Sequence, residues 1–157
     1  MISNSSPLIF LSKINKLDLL KKMFGFIMIT DAVKEEVLIN NKPGHFIIEE
    51  SIKEGWIKII NPKENPDLGL GPGENSVINL AREKKDTLIM DDFFAINTAK
   101  AFDIPILRTT SLIFLAVRKK IIAKQKAIYF FNQLIKEGYY ISPEIYSILL
   151  NRLRRVK

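Results

Sequence analysis

A carboxylate on the apolar face of a helix constrains this chain more than any other feature. The stretch Gly73 to Asp92 reads GENSVINLAREKKDTLIMDD. At 100° per residue, Glu74 falls in the middle of the stripe formed by Val77, Ile78 and Ala81, which lie three, four and seven positions further on. A carboxylate there needs a partner. Thr87-Leu88-Ile89-Met90 is apolar, holds no Gly or Pro, and follows the charged segment Arg82 to Asp86, so it reads as a buried strand that breaks off at Asp91-Asp92. In a parallel sheet, strand C-terminal ends and helix N-terminal ends share one edge, which brings Glu74 and both aspartates together as a candidate metal site. A structural alternative fits the same spacing: Asp91 caps the next helix, Asp92 sits in its first turn, and Glu74 stabilises its own helix N-terminus.

The rest of the chain alternates strands and helices, which argues for a parallel α/β sheet. Met1 to Asn4 reads as a strand, Ser5-Ser6-Pro7 as a turn, and Leu8 to Leu11 with Ile14 and Leu17 as a helix. A second helical piece, Leu17 to Phe24, stops at Gly25. Phe26 to Ile29 is a strand, and Thr30-Asp31 starts a helix over Ala32 to Ile39, on which Glu36 projects partly toward the core. Asn40 to Gly44 is a turn, His45 to Glu54 a helix, Trp56 to Ile60 a strand, and Asn61 to Gly73 a long loop. Phe93 to Phe102 is a helix and Pro105 to Leu107 a strand. Thr109-Thr110-Ser111 is the expected N-cap of Leu112 to Lys119. Ala123 to Glu137 and Pro143 to the end are two further helices. The expectation is one domain, 1–157, with an α/β core over 1–122 and a helical extension over 123–157.

Composition removes whole classes of chemistry. Without Cys there are no disulfides, zinc-thiolate sites or thiol nucleophiles, and the single His leaves no ready Ser-His-Asp triad. No apolar run approaches the ~18 residues of a spanning helix, and no signal-like segment opens the chain, so a cytoplasmic location with no membrane is expected. A net charge of +7 suits a polyanionic partner. Acids at a sheet mouth hold hard cations such as Mg²⁺ or Mn²⁺, and two such ions activate water and stabilise the leaving oxygen of a phosphodiester.

Three lesser features have bland readings. Gly69-Leu70-Gly71-Pro72-Gly73 resembles a phosphate cradle, but Glu74-Asn75-Ser76 follows where a P-loop carries Lys-Ser/Thr, so it reads as a flexible lead into the helix. His45, beside Gly44, reads as a surface or capping residue. Arg118-Lys119-Lys120 with Lys124 and Lys126, and Arg152, Arg154, Arg155 with Lys157, read as solvated helix faces, the first run being the better candidate to touch the phosphates of a polyanion.

Five segments in order, ISNSSPLIFLSKINKLDLLKKMFG, ITDAVKEEV, GPGENSVINLA, TLIMDDFFAINTAKAFDIPIL and RTTSLIFLAVRKKIIA, resemble PIN-domain proteins, and more closely a branch of uncharacterised nucleic-acid-binding proteins containing that domain. The resemblance covers almost the whole chain. It implies an α/β three-layer sandwich, a central mainly parallel sheet flanked by helices with two C-terminal helices added. It also implies acids that bind Mg²⁺ or Mn²⁺ and cleave RNA, as in VapC-like toxins of toxin-antitoxin pairs. Carried over by position, the metal-binding and catalytic acids fall at Glu36, Glu74 and Asp91 or Asp92, of which Asp92 aligns slightly better. Ser6 and Thr109 are supporting polar residues. The first metal ligand falls at Asn4, where the general family has an aspartate. A neutral amide still ligates through its oxygen but removes one negative charge from the cluster. Phe93-Phe94 also stands where relatives tend to carry arginine.

Three functions follow as expectations. The first is a PIN-type endoribonuclease, the toxin of a toxin-antitoxin pair with a small antitoxin as partner. The second is a PIN-like nucleic-acid-binding module silenced through Asn4. The third is a receiver-like regulator, a fold that needs its acid pair after the first strand, where this chain has Asn4-Ser5-Ser6. A homodimer is also expected, with Leu112 to Val117 beside Leu8 to Leu11 as contact surface.

Overall fold

Among the described residues, each strand runs into a helix before the next strand begins, the crossover that parallel strands need, and every strand pairing is parallel. The computed structural model describes residues 1–39 and 43–157. The strands are β1 (Ile2–Ser3), β2 (Ile27–Ile29), β3 (Ile57–Ile59), β4 (Leu88–Ile89) and β5 (Ile106–Leu107). They form one sheet in the order β3-β2-β1-β4-β5. In register, Ile2 pairs with both Met28 and Leu88, and Ser3 with Ile89. Hydrogen bonds from Ile2 N to Thr87 O and from Met90 N to Leu107 O extend the ladder over the whole segment read as a strand. This order is not the 2-1-3-4-5 arrangement of receiver domains, so the receiver expectation fails on topology.

Between and after the strands come α1 (Ser5–Lys13), α2 (Asp18–Phe24), α3 (Asp31–Val37), α4 (His45–Lys53), α5 (Pro72–Lys84), α6 (Phe93–Ala101), α7 (Thr109–Arg118), α8 (Lys124–Lys136) and α9 (Pro143–Arg155). Ile2, Leu88, Ile89, Leu8, Leu11, Val77 and Ile78 are buried in the main core, each fully buried aliphatic chain contributing about 1.5–3 kcal/mol. A second cluster, with Ile113, Val117, Phe131, Leu134 and Leu149, packs the helical extension against α7.

Several local expectations need correction. Ser5-Ser6-Pro7 is the first turn of α1, not a turn before it, because the first-turn N–H groups have no intrahelical partner and Pro7 loses nothing there. Thr109-Thr110-Ser111 lies inside α7, whose N-cap is Arg108. Of the expected dimer face, Leu8, Leu11, Leu112, Ile113, Ala116 and Val117 are buried within the chain itself, while Ile9, Phe10, Phe114 and Leu115 are half-buried. The turn expected over 40–44 lies partly outside the described residues. Among the described residues, no helix is long and apolar enough to cross a membrane.

Candidate functional site

In the order β3-β2-β1-β4-β5, connections leave β1 and β4 in opposite directions, and the crevice at the C-terminal ends of those strands is where open parallel sheets hold ligands. Asn4 directly follows β1, and Asp91 and Asp92 follow β4. The Asn4 backbone N–H donates to Ile89 O at 3.0 Å and pins the two strand ends together. The Asn4 side chain is 1% exposed. Its Nδ2 donates to Glu74 Oε1 at 3.2 Å, while its Oδ1 is buried without a hydrogen-bond partner. Glu74 is therefore partnered on the apolar face of α5, in the helix's first turn, where the dipole also favours a negative charge.

The two aspartates are used differently. Asp91 Oδ1 accepts from Thr109 N at 3.0 Å and from Tyr139 Oη at 2.6 Å, and Oδ2 accepts from Thr109 Oγ1 at 2.6 Å. Both of its oxygens are committed to joining β4, α7 and the α8–α9 connection. Burial, reinforced by the Asp91 carboxylate, pushes the Tyr139 phenol far above its ordinary range. Asp92 is the N-cap of α6, with Oδ1 accepting from Ala95 N at 2.8 Å.

Glu36 bonds the immediate sequence neighbours of Asn4 and Glu74. Its Oε2 accepts from Ser5 Oγ at 2.6 Å and its Oε1 from Gly73 N at 3.1 Å. A Cβ at Gly73 would overlap the Glu36 carboxylate, with Cδ only 2.8 Å away, so Gly73 is the residue that lets α3 and α5 approach. The backbone N–H that a phosphate cradle would offer at Gly73 is thus taken by a carboxylate. His45 begins α4 and lies against Phe46 with ring centroids 4.0 Å apart.

Asn4, Ser6, Glu74, Asp91 and Asp92 line one cleft of about 580 Å³, whose other walls include Phe93, Arg108, Tyr139 and Tyr140. Glu36 is outside that lining, and Thr109 stands behind Asp91. Among the described residues, no three acids or imidazoles converge closely enough to form a ready-made metal cluster, and the commitment of both Asp91 oxygens to Thr109 and Tyr139 is a physical reason. What remains is a buried, orphaned amide oxygen on Asn4, whose Nδ2 is bonded to the Glu74 carboxylate, with Asp92 on the same cleft. A neutral oxygen with one or two carboxylates fits a hard cation that keeps several waters, in the manner of Mg²⁺.

Tyr139, Ser5 and Arg108 are residues of the site to which reasoning from the sequence gives no role there. Tyr139 lies 48 positions from Asp91 in a short connection, and no periodicity marks it. Ser5 is legible in principle, since residues next to Asn4 at the first turn of α1 must share its edge.

A family model, DUF3368, described as a PIN domain, matches residues 1–155. No curated protein and no solved structure matches the chain.

Proposed function

The chain belongs to the PIN-domain family, and on that premise we propose that it is a metal-dependent endoribonuclease and the toxin of a toxin-antitoxin pair. The observation that carries this reading is the unpartnered, buried Oδ1 of Asn4, the residue whose Nδ2 reaches Glu74 at the mouth of the sheet. Buried polar atoms are rarely left without a partner, and an orphaned oxygen beside a carboxylate suits a cation. Asn4, Glu74 and Asp92 would hold Mg²⁺ or Mn²⁺, with Glu36 supporting the start of α5 through Gly73 N. Such a cation supplies a Lewis acid that activates water and offsets charge on a phosphodiester.

The protein's own groups do the remaining work. Arg108, exposed on the rim, presents donors in a fork suited to a phosphate oxygen. Asp91 acts as a positioning residue, tying α7 and Tyr139 to the end of β4. Asn4 lowers the charge of the cluster by one relative to an aspartate, which weakens cation binding without removing its oxygen. The protein would work as one domain, core 1–122 and extension 123–157, in the cytoplasm, as a homodimer, with RNA as substrate and a small antitoxin covering the cleft.

One observation favours a second reading, a nucleic-acid-binding module without cleavage. Asn4 Nδ2 already gives Glu74 a donor, so that carboxylate is satisfied with no cation present. Cleavage of an end-labelled RNA pool in Mn²⁺, Mg²⁺ and EDTA separates the two. The nuclease reading expects metal-dependent cutting that Glu74→Gln abolishes. Cutting only by Asn4→Asp would favour the silenced module, and no cutting by any folded variant would overturn the nuclease.

A further inference from the structure

Arg118, the last residue of α7, and the basic end of α9, separated by more than thirty positions in the sequence, meet in space. Arg118 at the C-terminus of α7 and Arg152, Arg155 and Lys157 at the end of the chain line one open groove of about 500 Å³, floored by Phe114 and Val156. All four cations are exposed. No acid is among the residues that line the groove. Among the described residues, none of the four enters an ion pair; the ion pairs found there are made by lysines and the N-terminus. Arg152 stacks on Phe114, its guanidinium carbon 4.6 Å from the ring centroid, which holds one fork in place.

Basic residues in a last helical turn ordinarily complement the helix dipole. That accounts for Arg118 or Arg155 singly. It does not account for two helix ends placed side by side with four basic side chains and no acidic side chain among the described residues that line the groove, an arrangement that gains by binding an anion. Arginine forks, one of them pre-oriented on an aromatic ring, match phosphate oxygens better than they match the scattered carboxylates of an acidic protein.

We propose that the groove between the C-terminal ends of α7 and α9, with Arg118, Arg152 and Arg155, is a docking site for the phosphodiester backbone of a nucleic acid. It is separate from the acid cleft. Thr109, bonded to Asp91, and Arg118 stand at opposite ends of α7, roughly 13–14 Å apart at a rise of ~1.5 Å per residue. A strand of a few nucleotides spans that length. The proposal goes beyond the nuclease reading and does not depend on it, since it concerns binding without metal.

The test is fluorescence anisotropy of a labelled single-stranded 20-mer with the full chain in EDTA, at several salt concentrations. The triple variant Arg118→Ala/Arg152→Ala/Arg155→Ala is compared with Lys63→Ala/Lys84→Ala/Lys100→Ala, which removes the same charge elsewhere. The arginine triple should lose at least tenfold in affinity at low salt, and its log–log salt slope should fall by about 2, at ~0.7 for each phosphate that is no longer neutralised. The lysine triple should keep the wild-type slope, and an Arg→Lys triple should recover most of it. Equal losses on RNA and DNA assign the groove to the phosphates both share; loss on RNA alone assigns it to an RNA backbone. Equal effects of the two alanine triples, or binding of polyglutamate with no binding of either nucleic acid, would overturn the proposal.

Discussion

Asn4 Nδ2 donates to Glu74 Oε1 across 3.2 Å, joining the end of β1 to the first turn of α5. The amide gives the carboxylate a partner where an aspartate would give it a second negative charge.

Asn4→Asp should therefore destabilise the protein in EDTA at neutral pH, by about 1–3 kcal/mol, because two adjacent carboxylates cannot both ionise freely. Mn²⁺ should raise the melting temperature of the variant more than it raises that of wild type.

Tyr139 is buried and donates to Asp91 Oδ1. Tyr139→Phe should cost about 1.5–3 kcal/mol, the range for a hydrogen bond to a charged group. Because burial and Asp91 raise the phenol's pKa above its usual 10.0, its contribution is complete below pH 10 and declines as pH rises further. Denaturant titrations should show an alkaline loss of stability in wild type that Tyr139→Phe lacks.

Asp92 caps α6 through Ala95 N. Asn is as good an N-cap as Asp, whereas Ala loses about 1 kcal/mol. Asp92→Asn should keep the melting temperature and lose metal-dependent cleavage; Asp92→Ala should lose both. Cleavage retained by Asp92→Asn would limit Asp92 to capping.

Gly73→Ala should destabilise by about 1–3 kcal/mol, since the added methyl overlaps the Glu36 carboxylate. In a Glu36→Ala background the same change should be neutral or stabilising, because alanine is favoured over glycine in a helix by ~1 kcal/mol. A double-mutant cycle in denaturant reads the coupling.

The sheet edge is legible in the sequence where periodicity carries it. Glu74 on an apolar stripe and a strand that breaks off at Asp91-Asp92 are patterns, and parallel topology brings them to one edge. Whether Asp91 or Asp92 caps α6 is not legible, because adjacent acids before a helix offer the same composition. Tyr139, Gly73 against Glu36, and the meeting of Arg118 with Arg152 depend on how distant elements pack, and no local pattern encodes them. Thr109 reads as a cap and instead enters α7, because its hydroxyl and N–H both go to Asp91. Leu8 and Leu112 read as part of a dimer surface and are taken up by the core, since an apolar stripe looks alike whether another helix of the same chain or a second subunit covers it.

Everything proposed for the cleft depends on Asn4, Glu74 and Asp92 taking a divalent cation. Calorimetric titration of Mn²⁺ alone into wild type and Glu74→Gln, with no RNA present, separates that binding from catalysis. Wild type should show a saturable binding event that Glu74→Gln weakens at least tenfold while the fold is retained. Identical binding by the two proteins, or no binding by wild type, would remove the cation from this cleft.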